Sequence, residues 1–450
     1  MFKKLHNLLG DFWWYSLMVF CAARAADVLN LFVGVYLVPK YVSTEELGAV
    51  QPLASFANFL VIPAAVFATT FRQEISNLAT RGEFGRMKSL MRGVFIATAI
   101  TFVLAILSMK LVLPLFLERL RIVNGSLGIV ILTTSLLCTV SSVYAIPLQT
   151  LKKFRATSLI SVLSAPIRFV VMVITMPLRA LTGYFVGQGS TPAFSILASI
   201  IALRKELSVR AEPYWTKAIV VRFTRLFIIF GISTLAGSFL TLVENTIIRQ
   251  RLPDLDSAAY YMVTRFSDIS TFLATALSFT LFPFAAELSA KGGGTNRLVV
   301  KSSLVLFAGN FILAIFFLCF GRQILTFLPN GQSYSIYAWA IPVIIAVTTV
   351  NSIVSFYCVA EMSANRFGFM YFTVPICLIS GLGLMLVTGQ GYYLSYLPQP
   401  LAAFLKAHNI LTLKSVIVWM LVVAVVRLVC CVCYANLISR RAAFCSELEK

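Results

Sequence analysis

The chain is written as long apolar runs separated by short polar punctuation. Twelve runs, at approximately 13–38, 47–71, 90–113, 127–148, 157–177, 180–203, 223–247, 258–284, 299–320, 335–359, 367–388 and 414–437, approach or exceed the ~20 residues of a membrane-spanning helix. None shows the strict alternation of a barrel strand, and lipid offers no partner to open backbone groups, so the runs predict helices. No small-residue cleavage site follows the first run, which therefore reads as a retained helix and not a signal peptide.

The pattern occurs twice. NLFVGVYLVPKYVSTEELGAV from Asn30 returns as ENTIIRQRLPDLDSAAYYMV from Glu244. Pro39 matches Pro253, Ser43 matches Ser257, Glu74 matches Glu287, and Lys88-Ser89 matches Lys301-Ser302. Two tandem halves in so apolar a chain point to a transporter built from repeats. The expected organisation is an amino-terminal six-helix bundle over 1–203, a basic linker over 204–222, and a second six-helix bundle with a short tail over 223–450. The linker RKELSVRAEPYWTK reads as a short surface helix, either clamped to lipid or simply solvated. The loops RQEISNLATRGEFGRMKSLMRG and AELSAKGGGTNRLVVKS each predict a short amphipathic helix and a glycine turn. Pro52, Pro63, Pro166, Pro283 and Pro342, with Gly183, Gly187, Gly189 and Pro192 in GYFVGQGSTP, mark kinks that serve either as static bends or as hinges.

Composition agrees with a membrane solvent: 59% of residues are hydrophobic and 12% charged, against roughly 25% charged in a soluble domain. A formal charge of +20 raises nucleic acid as a partner, but its distribution argues against it. With loops assigned alternately from Lys3 and Lys4 inward, the inside segments hold more than twice the Lys and Arg of the outside segments. That bias predicts cytoplasmic termini at both ends; the remainder of the charge suits anionic lipid or an anionic substrate. The nine cysteines and two histidines show no metal-ligand spacing, and most of the cysteines read as small apolar helix residues. No phosphate-binding glycine loop or nucleophile elbow is present, so an enzyme is not expected, and neither is a bound cofactor.

The chemistry lies in ionisable groups deep in the spans. Arg24 and Asp27 sit three apart in the first, and Arg265 and Asp268 repeat that spacing in the eighth, so each pair shares a helix face. Arg168, Glu244 and Arg427 lie in the fifth, seventh and twelfth. Each costs about 2.5–3.5 kcal/mol to insert at a helix centre, so all seven are expected to face a hydrated interior. Four arginines against three acids leave one positive charge in excess. The planar, permanently charged guanidinium suits phosphate, which makes Arg24, Arg168, Arg265 and Arg427 candidates for a pyrophosphate-linked headgroup. Asp27, Glu244 and Asp268 are candidates for internal ion pairs or for a coupling proton or sodium ion, with Glu244 tied alternatively to Arg249 or to an arginine on another helix.

YLVPKYVSTEELGAV at the end of the first helix resembles the proline–acid–glycine turn of bacterial polysaccharide-export flippases. VENTIIRQRLPDLDSAAYYMV with ATALSFTLFPFAAELS is similar to the helix 7–8 unit of that family. The resemblance spans nearly the whole chain. It implies the multidrug/oligosaccharidyl-lipid/polysaccharide exporter superfamily: two six-helix bundles in a V that alternate between inward-open and outward-open states. The implied activity is movement of an undecaprenyl-pyrophosphate-linked oligosaccharide across the bacterial inner membrane for O-antigen or capsule synthesis, beside a polymerase and glycosyltransferases. The family's helix 7 acid falls on Glu244, where Asp is the common form. The rival readings are a multidrug or organic-cation antiporter on the same fold, and a non-transporting scaffold of a glycan-assembly complex.

Overall fold

The computed structural model describes residues 24 and 26–448 apart from 121, 123–124, 152, 291–294, 364–365 and 388–411. The first eleven residues of the first run and the segment GQGYYLSYLPQPLAAFLKAHN lie outside the described residues. Among the described residues there are helices and turns and no strand. We number the long helices α1 (26–41, including a π-helical turn at Val33–Leu37), α2 (Thr44–Thr80), α3 (Phe84–Arg119) and α4 (Gly125–Thr150). One continuous assignment, Phe154–Ala202, follows. Then come α7 (Lys217–Arg251), α8 (Asp254–Ala290), α9 (Asn296–Thr326), α10 (Ala340–Ser363), α11 (Met370–Val387) and α12 (Leu413–Leu448).

The Phe154–Ala202 segment is two helices. Arg179 breaks it, with φ −149° and ψ 61°. Arg168 and Gln188, twenty residues apart, are hydrogen-bonded at 3.1 Å, whereas one straight helix would separate them by about 30 Å. The chain therefore doubles back at Arg179 into α5 (154–178) and α6 (180–202), each long enough to span. Each of the twelve apolar runs thus falls mainly on a helix among its described residues, those at 335–359 and 367–388 starting a few residues ahead of theirs.

Each compact unit, up to Ser238 and from Phe239 onward, is built around one central helix. In the first unit α4 packs against α2, α5 and α6; in the second α10 packs against α8, α9 and α12. Hydroxyls stitch these contacts: Thr134 donates to the Phe185 carbonyl and Ser135 to that of Ala57, and the Asn310 amide donates to Thr349 Oγ1 at 2.9 Å. The repeat is visible in geometry as well, since α2 and α8 are both 37 residues long. Among the described residues, six helical segments are long and apolar enough to cross a membrane by length and composition, the α5–α6 segment being counted as one. The protein is an all-helical, multi-pass membrane protein.

Helix ends follow local chemistry. Ser43 Oγ accepts from the Glu46 amide at 3.2 Å, and Glu45 and Glu46 complement the dipole at the start of α2. Thr412 and Ser415 cap α12 reciprocally. At the other end of α2, Gly82 takes φ +72° and the Glu83 amide bonds to the Leu78 carbonyl at 3.0 Å, the six-to-one bond of a glycine-terminated helix. The glycine turn is where the sequence predicts it. The short amphipathic helix beside it is absent: α2 and α3 run on to within a few residues of Gly82, because extending a helix satisfies backbone groups that a separate surface helix would leave open.

The linker is tied down. Its predicted surface helix is the single turn Arg204–Leu207. The Lys153 ammonium donates to the Ala202 carbonyl at 2.6 Å and to Glu206 at 2.8 Å, closing the end of α6. Burial pushes the Glu206 carboxyl up, but the hydrogen bond from Lys153, helped by Lys205, outweighs it and holds the group below its ordinary value. A carboxyl lowered by folding contributes stability that is complete above its unfolded value of about 4.3 and is lost as pH falls through the folded one. Glu206→Gln is therefore expected to lower the melting temperature at pH 7, and the gap to the parent should close in melts run at increasingly acid pH.

Candidate functional site

The seven intramembrane charges gather into one cluster in each unit. In the first, Arg24 Nη2, just ahead of α1, and Asp27 Oδ2 on it are 3.0 Å apart. Arg168, from α5, brings a second guanidinium within electrostatic reach of the same carboxylate. Arg168 Nη1 donates to Gln188 Oε1 at 3.1 Å, and Gln188 Nε2 donates to the Tyr184 hydroxyl at 2.8 Å. Two guanidinium groups, one carboxylate, an amide and a phenol thus come together where α1, α5 and α6 meet. The cluster carries one positive charge in excess.

What holds it there is the α5–α6 hairpin. Gly183 and Gly187, four apart, lie on one face of α6 against α5. A Cβ on Gly183 would come 2.5 Å from the Thr175 carbonyl oxygen, and one on Gly187 would meet Met172 Cγ. Thr175 Oγ1 donates to the Gly183 carbonyl at 3.0 Å. Gly189 faces α4 in the same way, a Cβ there lying 2.8 Å from Thr134 Oγ1. Small residues at this spacing let membrane helices approach closely. These glycines bring Gln188 to Arg168 by packing.

In the second unit, Arg265 and Asp268 pair at 3.1 Å on α8, and the guanidinium carbon lies 5.2 Å over the Tyr261 ring. Glu244 on α7 is 7% exposed. Arg427 on α12 acts on it electrostatically without an ion-pair contact among the described residues, and donates from Nη1 to Asn351 Oδ1 on α10 at 3.2 Å. Tyr260 lies within electrostatic reach of Glu244, Arg265 and Asp268, joining these groups into one neighbourhood. The thiols Cys358 and Cys431 neighbour each other and Arg427. By formal charge this cluster is balanced, two arginines against two acids.

Both Arg/Asp pairs form. Arg168 and Arg427, which have no acid within a turn of their own helix, each come within electrostatic reach of one on another helix. Arg249 is engaged elsewhere: it is 1% exposed and paired with Asp254, and the arginine that acts on Glu244 is Arg427. Gln188, Tyr184, Asn351 and Tyr260 complete the clusters. A polar side chain in mid-span was the available signal for Gln188 and Asn351, and only the fold shows which charge each one meets.

No family model matches the chain, and no curated protein matches it in sequence. Solved structures do match in fold. The chain is similar to a multidrug resistance MATE family transporter of the MOP superfamily in its inward-facing conformation, with TM-score 0.62, 12% identity, and coverage of 94% of this chain and 96% of that one. It is similar to the lipid II flippase MurJ in an inward closed conformation, with TM-score 0.63, 14% identity, and coverage of 94% and 87%. It is also similar to a MATE in the straight conformation, with TM-score 0.63, 12% identity, and coverage of 97% and 99%. At such identities the likeness is one of fold, and the fold is one that transporters and a lipid flippase share.

Proposed function

We infer that the protein is an alternating-access flippase that moves a polyprenyl-pyrophosphate-linked oligosaccharide across the bacterial inner membrane for surface polysaccharide synthesis. The observation that carries this reading is the positive excess of the Arg24–Asp27–Arg168 cluster, with Gln188 and Tyr184 supplying neutral hydrogen-bonding groups beside it. Two guanidinium forks sharing one carboxylate retain the capacity to take a pyrophosphate oxygen, while an amide and a phenol suit sugar hydroxyls. The polyprenyl chain needs no site of its own because lipid is its solvent. In the second unit Glu244 is the candidate for a coupling proton or sodium ion, in electrostatic balance with Arg427. The charge bias of the loops supports cytoplasmic termini, and a polymerase and glycosyltransferases are the expected partners.

A ligand can bias two conformations only through its different affinity for them, so removing a headgroup contact should reduce transport without unfolding the protein. A charged hydrogen bond contributes about 1.5–3 kcal/mol, and Arg168→Ala is expected to weaken headgroup binding roughly 10- to 150-fold. Asp27 keeps Arg24 in that variant, so the fold survives. Flipping of a labelled polyprenyl-pyrophosphate sugar in proteoliposomes measures the effect; undiminished flipping by Arg168→Ala would exclude this headgroup site. Multidrug antiport is favoured equally by the fold likeness. It calls for an acid-dominated site, which the first cluster is not, and energised uptake of an organic cation with no flipping would establish it. Folded protein that does neither would point to the scaffold reading.

A further inference from the structure

We propose that the linker end of the first unit is a docking surface for anionic phospholipid headgroups, built from the linker and the helix ends it is strapped across. The linker lies on α2 and α3. Tyr214 donates to Glu74, Trp215 Nε1 donates to the Ser89 carbonyl at 3.2 Å, the Glu212 amide bonds to the Gly85 carbonyl at 3.1 Å, and Lys88 reaches the Val209 carbonyl at 3.0 Å. Gly93 leaves room for the indole, since a Cβ there would meet it. One apolar core, including Phe71, Met87, Val143, Leu203, Tyr214 and Phe223, underlies the whole end. The surface is therefore fixed in shape.

Its charge is one-sided. The acids beside it are already engaged: Glu83 and Glu212 with Arg86, Glu206 with Lys153, and Glu74 with Tyr214. Arg92, Arg155, Arg204, Lys205, Arg210 and Lys217 are all exposed and make no ion pair among the described residues; Lys205 alone also senses Glu206. Among these cations stand two partly exposed apolar residues, Val209 at 41% exposure and Trp215 at 38%, the latter with one edge of its ring packed against Gly93. A half-exposed indole beside unspent cations matches the boundary where headgroup phosphates meet acyl chains. The loop charge bias assigns this same end to the cytoplasmic face, where anionic lipid attracts basic segments. Docked headgroups would hold the linker, and with it the entry to α7, at the membrane surface.

The test uses the full-length protein in neutral detergent micelles doped with either phosphatidylglycerol or phosphatidylcholine, read by native mass spectrometry of retained lipid and by melting temperature. Phosphatidylglycerol is expected to be retained and to raise the melting temperature, more so at low salt, and phosphatidylcholine is not. In the fourfold variant Arg204→Ala/Lys205→Ala/Arg210→Ala/Lys217→Ala, each base removed should weaken phosphatidylglycerol binding about fivefold. Arg204→Lys/Arg210→Lys, which keeps the charge and guards against a folding defect, should retain the preference. Equal retention of the two lipids by the parent, or an unchanged preference in the fourfold variant, would overturn the assignment. Displacement of the lipid by inorganic pyrophosphate too dilute to screen charge would also overturn it, and would give the surface to a soluble anion.

Discussion

Arg427→Ala is expected to destabilise the protein by about 3 kcal/mol and to abolish transport, and adding Glu244→Gln is expected to restore the fold alone. Glu244 is nearly fully buried on α7, and Arg427 is the cation that acts on it. Removing one member of a buried charge pair leaves the other uncompensated, at a cost of about 3–5 kcal/mol; removing both charges is often nearly neutral. Arg427 is only half-buried and the two groups interact across space without an ion-pair contact, so this part of the cost falls below that range, at about 2 kcal/mol. Asn351 would lose its partner in either variant, adding about 1 kcal/mol that the second substitution cannot recover. Melting of the four members of the cycle in detergent measures the coupling. Additive losses would show that Glu244 and Arg427 do not compensate one another. Flipping by the rescued double variant would show that neither charge is needed for transport.

The helices were legible because hydropathy reports burial in lipid directly. Even the turn at Arg179 left a trace, as the charge that interrupts two apolar runs. The ionisable residues were legible too, since a charge in a span has few tolerable explanations. Their partners were not. Arg168 is twenty residues from Gln188 in sequence and touches it only because the hairpin closes. The linker was ambiguous for the same reason: Tyr214, Trp215 and Val209 bond to groups more than a hundred residues away, and nothing in RKELSVRAEPYWTK states what it lies on. The glycines of GYFVGQGSTP read as sites of bending because a glycine weakens any helix, yet the neighbours of Gly183 and Gly187 give them a packing role. Composition records what a residue permits; only the facing helix shows which permission is used.

That distinction makes Gly183 the most demanding position for folding. A Cβ there would lie 2.5 Å from the Thr175 carbonyl oxygen, 2.6 Å from its carbon and 2.7 Å from the Met176 nitrogen. All three are backbone atoms of α5, so no side-chain rotation relieves the clash. The helices must separate, and with them go the Thr175–Gly183 hydrogen bond and the approach of Gln188 to Arg168. Overpacking typically costs 1–3 kcal/mol, and more where the obstacle cannot move. Gly183→Ala is therefore expected to lose about 3 kcal/mol, and Gly183→Val to abolish recovery of monodisperse protein. Gly383→Ala on α11 is the control: its Cβ would meet the Trp419 ring at an ordinary 3.8 Å, and helix propensity favours alanine by about 1 kcal/mol. Thermal melting of the two alanine variants should move in opposite directions. A Gly183→Ala protein that melts with the parent would mean that α5 and α6 are not in close contact, and the first charge cluster would lose the scaffold that assembles it.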